Sequence, residues 1–132
     1  MIVSALLAIA VQSAFDNGRL LPIAPGDWTY ASDVAGSTAR FGDQFLIRCD
    51  RSSRRVTLNR LRPAAGNAAM QIATDTKEMT YPGPVVALAA SDAMLDSIAY
   101  TRGRFVVTLA GAGSVALPFE PEVARSIEDC RN

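Results

Sequence analysis

The sequence predicts a mainly β protein: an antiparallel sandwich or small barrel with a short helix near 92–101 and a C-terminal helix near 121–131. Three observations carry that prediction. Short runs in which apolar and polar residues alternate recur along the chain, separated by turns rich in Gly, Pro, Asp and Ser. Only two stretches repeat their apolar residues at helical spacing behind a capping residue. Finally, 132 residues that are 49% apolar and 20% charged suffice for one hydrophobic core and fall short of two.

The chain opens with MIVSALLAIAVQSA, which has no charged side chain from Met1 to Ala14. It is too short for a bilayer span, which needs about twenty apolar residues. Its composition suits the hydrophobic heart of a secretory signal peptide, with small residues Val11 and Ser13 just ahead of the cut. Residues 1–13 are therefore expected to be a signal peptide and 14–132 a single β-rich domain; the competing reading is a native first strand or helix. After the loop LLPIAPGD, strands are expected over Trp28–Val34, Ser37–Phe41 and Gln44–Asp50, the last with Phe45, Ile47 and Cys49 on one face. The turn RSSR leads into Arg55–Arg62, where Val56, Leu58, Arg60 and Arg62 alternate with Arg55, Thr57, Asn59 and Leu61. Strands over Ala68–Thr74, Glu78–Tyr81 and Val85–Ala90 follow, divided by PAAGN, a turn at Asp75–Lys77 and the PGP break.

In SDAMLDSIAYTRG, Ser91 or Asp92 caps a short helix, Gly103 stops it, and Met94, Leu95 and Ile98 form its apolar face. RFVVTLAGAGSVALPF reads as a hairpin of two apolar strands around Gly111–Gly113. In EPEVARSIEDCRN, Pro121 suits a first helical turn and Val123, Ile127 and Cys130 fall on one inward stripe. The pattern does not decide whether Trp28 and Tyr30 are core or contact residues.

The chemistry is narrowed mainly by exclusion. There is no histidine, so a Ser-His triad is impossible and the commonest general base and metal ligand are missing. GAGSVA superficially matches a dinucleotide-binding turn, but Pro118 interrupts any following helix, so no cofactor is expected. Two thiols without histidine leave a zinc ion short of ligands, so no metal is expected either. Asp92 and Asp96 lie four apart on one helix and read as a cap and an exposed acid rather than a catalytic pair. No catalytic residue is assigned, and the chain is expected not to be an enzyme. Cys49 and Cys130 are the only cysteines. In an exported domain two cysteines most often pair; the competing reading is two inert free thiols.

The thirteen basic and thirteen acidic side chains cancel, so any charge-driven binding is local. Arg40, Arg48, Arg51, Arg54, Arg55, Arg60 and Arg62 stand against Asp43 and Asp50 alone within residues 40–62. Arginine rather than lysine suits bidentate contacts with carboxylates or phosphates. One reading makes the cluster a solvated sheet edge or a partner for the acids of the last helix. The other assigns Arg48, Arg51, Arg54, Arg55, Arg60 and Arg62 to an anionic partner, a protein or an envelope component. Nucleic acid is not expected, because no aromatics are interleaved for stacking.

From Gln44 onward come a strand ending in LIRC, a second strand, a short helix with ML, the strand RFVVTL, an apolar strand and the terminal PEVARSIEDCR helix. That order is similar to VasI-type accessory proteins of type VI secretion. It also resembles the small disulfide-linked sandwich proteins related to invasion-associated locus B and uncharacterised exported proteins of alphaproteobacteria. The resemblance implies a periplasmic or secreted β-rich domain with Cys49 joined to Cys130. The expectation is a non-enzymatic envelope protein that binds a protein or an anionic envelope partner. Its alternatives are a small exported inhibitor of a wall-active enzyme or protease, and a carboxylate-based hydrolase.

Overall fold

The computed structural model describes residues 14–62 and 67–132, so the expected signal peptide lies outside the described residues. Among the described residues nine strands form two antiparallel sheets, each with open edges, so the sandwich is observed and the barrel is not. The five-stranded sheet orders β1 (Trp28–Ser32), β2 (Gly36–Phe41), β3 (Phe45–Asp50), β4 (Arg55–Arg60) and β7 (Val85–Ala89). The four-stranded sheet orders β6 (Glu78–Tyr81), β5 (Met70–Ala73), β8 (Arg104–Leu109) and β9 (Gly113–Pro118). Among the described residues three helices accompany the sheets: α1 (Ala14–Gly18), α2 (Ala93–Ala99) and α3 (Pro121–Asp129). Among the described residues no helix is long and apolar enough to cross a membrane.

The alternation read in the sequence sets the two faces of the larger sheet. Register places Trp28, Phe41, Phe45 and Arg60 in one row across β1 to β4, and Ser37, Cys49, Val56 and Leu88 in another across β2, β3, β4 and β7. These residues are buried. The second sheet covers the first row: Phe105 of β8 lies 6.2 Å from the Trp28 ring and 5.9 Å from Phe45. The Trp28 indole N–H donates to the Pro118 carbonyl at 2.7 Å, so the aromatic ring is buried with its polar atom satisfied. Helix α3 covers the other end of the same face, packing on β1, β2 and β3 and against α2. Its Val123 and Ile127 are fully buried in that core, as the spacing predicts.

Cys49 and Cys130 are joined in a disulfide, with Cα atoms 5.6 Å apart and 81 positions of chain between them. The bond ties the end of α3 to the middle strand of the larger sheet. On the opposite strand Gly36 opens β2 where a Cβ would stand 1.8 Å from the Cys49 carbonyl oxygen, so only glycine lets β2 and β3 meet there.

Several boundaries shift from the sequence expectation. β1 stops at Ser32, because the Asp33 carboxylate accepts the N–H groups of Ala35 and Gly36 and closes a turn. β4 stops at Arg60, and Arg62 lies beyond it against Asp43. Helix α1 was not anticipated. Its Phe15 is buried against Ala73 and Val106 on the outer face of the smaller sheet, and Arg104 holds the following turn through the Gly18 and Leu21 carbonyls.

Candidate functional site

The arginines form no single patch; the fold distributes them to four places. Arg40, Arg48 and Arg55 project from the open face of the larger sheet. There Arg48 occupies the middle of the row Thr38, Arg48, Thr57, Ala87. Its guanidinium donates to the Thr38 hydroxyl at 3.0 Å and lies 3.7 Å from Asp33. Arg55 reaches over the edge strand and donates to the Ala87 carbonyl at 3.3 Å. Arg62, at the far end of the sheet, pairs with Asp43 at 3.2 Å.

Arg60 is a correction to the sequence-based cluster. It is only 7% exposed and its guanidinium donates to the Val107 carbonyl of the opposite sheet at 2.9 Å and to the Arg62 carbonyl. Burial pushes its pKa down from the usual value. The same parity that puts Val56 and Leu58 into the core carries Arg60 in with them. It is a tie between sheets and offers nothing to a partner.

Arg51 and Arg54 occupy the β3–β4 turn, next to the disulfide and the end of α3. The Asp50 carboxylate accepts the Ser52 N–H at 3.1 Å and the Ser52 hydroxyl at 2.9 Å, which shapes this turn and lowers the Asp50 pKa. Arg54 closes it with φ of 53°, a left-handed conformation that costs a side chain other than glycine about 1 kcal/mol. It is the only non-glycine residue with positive φ among the described residues. Among the described residues, no carboxylate lies within salt-bridge distance of Arg51, Arg54 or Arg55.

Two clefts flank Arg54. The larger, about 610 Å³, is lined by Ser53, Arg54, Ala89, Ala90, Ser91 and Asp96 together with Cys130 and Arg131. Arg131 braces its wall, donating to the Ala90 carbonyl at 2.8 Å and pairing with Asp96 at 2.7 Å and Glu128 at 3.5 Å. The smaller, about 290 Å³, lies among Arg51, Arg54, Asp129, Cys130 and Asn132. Behind it the Tyr30 hydroxyl donates to Asp129, and the Arg125 guanidinium stacks 4.0 Å over the Tyr30 ring. Burial alone would raise the Asp129 pKa. The Tyr30 hydroxyl and the charges of Arg51 and Arg125 outweigh it and hold the carboxyl below its usual value.

The remaining candidates for chemistry have structural employment. Asp92 caps α2 by accepting the Met94 N–H at 2.8 Å, while Asp96 takes Arg131, so the two acids serve different partners. The Tyr81 phenol is pushed up to about 12 by burial and, secondarily, by the Asp92 charge. GAGSVA is the β8–β9 hairpin, where Gly111 and Gly113 take φ of 75° and 88°. Among the described residues no group of three or more His, Cys, Asp or Glu side chains is placed to hold a metal. Sequence reasoning missed the Tyr30, Asp129 and Arg125 contact, since its partners come from opposite ends of the chain. Compared with known proteins, the chain matches no family model, no curated protein and no solved structure.

Proposed function

We propose that this chain is a non-enzymatic envelope protein, periplasmic or secreted, that binds another protein or an anionic envelope component through the arginines around the β3–β4 turn. The observation that carries the reading is the contrast between arginines. Arg48 and Arg62 lie beside aspartates and Arg60 is buried, whereas Arg51, Arg54 and Arg55 are exposed and without a salt-bridge partner among the described residues. Such cations gain most from an incoming carboxylate or phosphate, because no internal pair has to be broken first. The disulfide supports the oxidising compartment. The resemblance to small exported sandwich proteins is part of the same proposal.

A small exported inhibitor is a neighbouring reading within the binding class. It is favoured by Val34, an apolar side chain 98% exposed at the tip of the β1–β2 hairpin, where a loop is presented for insertion. Affinity capture from envelope extract of the native host tests the proposal. A stoichiometric partner retained by the wild type and lost by R51E/R54E/R55E is expected. Turnover of wall fragments with no captured partner would overturn it in favour of a hydrolase.

A further inference from the structure

We propose that the cleft beside Arg54 is a binding site for a free carboxylate carried on a short, largely apolar peptide. The inference deepens the binding role given above and rests on it. Arg54 holds the last position of a tight turn in a left-handed conformation, where glycine would sit without strain. A charged side chain kept at such a position, and lacking an internal partner, points to a role outside the fold. The cleft it lines supplies the rest of the recognition. Ser53 and Ser91 offer hydroxyls, and Ala89, Ala90 and the buried edge of Cys130 offer a short apolar wall.

Charge selects the ligand class. Of the ionised groups lining the cleft, Arg131 and Asp96 pair with each other, which leaves Arg54 with no carboxylate at salt-bridge distance among the described residues. One uncompensated cation matches a monoanion, and a planar guanidinium matches a carboxylate in a bidentate pair. A phosphate dianion would remain half unpaired. The space of about 610 Å³ exceeds what a single small anion needs and fits a ligand of a few residues.

Backbone amide shifts followed by NMR during titration test this directly. The probe is N-acetyl-alanyl-alanine with a free carboxylate, against the same dipeptide as its C-terminal amide and against inorganic phosphate at matched ionic strength. The free acid is expected to shift the signals of Ser53, Arg54, Ala89, Ala90 and Ser91, and the amide to leave them unmoved. The variant Arg54→Gly is expected to lose the response while its melting temperature rises by a few degrees, because glycine relieves the turn. Arg54→Lys retains a weakened response, and Arg62→Ser, far from the cleft, binds as the wild type does. Equal shifts with acid and amide, an undiminished response in Arg54→Gly, or no shift up to the solubility of the probe overturns the site. A stronger response to phosphate overturns the carboxylate assignment. If envelope capture still depends on the arginines while the cleft stays silent, the binding role stands and this site falls.

Discussion

Asp129 shows how one side chain is held in an unfavourable place. It sits in the last turn of α3, where the helix dipole disfavours a carboxylate, yet its pKa is lowered. The hydroxyl of Tyr30 and the charges of Arg51 and Arg125 favour the anion there. A carboxyl with a depressed folded pKa binds fewer protons in the folded state than in the unfolded one. Its contribution is present above the ordinary carboxylate range and is lost as pH falls through the folded pKa. Urea unfolding between about pH 5 and pH 2 is expected to show a steeper acid loss of stability in the wild type than in Asp129→Asn. Parallel curves would remove Asp129 from the latch between α3 and β1.

At the scale of the element, α3 is held by three different devices. Its apolar stripe buries Val123 and Ile127, Tyr30 binds Asp129, and Cys130 is bonded to Cys49. Closing a loop of this size removes unfolded-state entropy worth about 4 to 5 kcal/mol at most, and measured losses run from about 2 kcal/mol. The double variant Cys49→Ala/Cys130→Ala is expected to lose stability in that range. Hydrogen exchange should report the loss first in α3 and only later in β3 and β8, since the helix is then left with its stripe, the Tyr30 contact and the Arg131 bonds to Ala90 and Asp96. Uniform loss of protection would mean that helix and sheets unfold as one unit. The last helix was legible in the sequence from Pro121 and the spacing of Val123, Ile127 and Cys130. Helix α1 was not, because five residues carry too little periodicity and its one anchor, Phe15, finds its partners on β5 and β8.

At the scale of the molecule, the two sheets meet through the Trp28, Phe41, Phe45 and Phe105 rings and through Arg60, which bonds a carbonyl of the opposite sheet. Arg60→Ala leaves a cavity and a buried carbonyl without its charged donor. A stability loss of about 2 to 4 kcal/mol is expected in denaturant unfolding, with capture of any partner unchanged once the protein is folded. Arg55→Ala should behave in the opposite way, affecting capture and leaving stability nearly untouched. If Arg60→Ala were stable and binding-deficient, its place between the sheets would be wrong.

The sequence by itself determined the β class, all nine strands to within a few residues, both longer helices and the hairpin at GAGSVA, because each depends on local periodicity and turn chemistry. It also singled out the two cysteines, and the expected export and the resemblance to exported sandwich proteins pointed to their pairing. Tertiary structure shows the bond and how it is reached, through α3 packing back across β1, β2 and β3. It divided seven arginines, adjacent in sequence, among an open face, a turn, a far end and the interior. Charge density along a chain carries no information about which side of a strand each residue takes or which distant carboxylate reaches it. For that reason Arg60 belongs to the core, and Arg54 beside its cleft emerged only when the turn, the end of β7 and the end of α3 stood together.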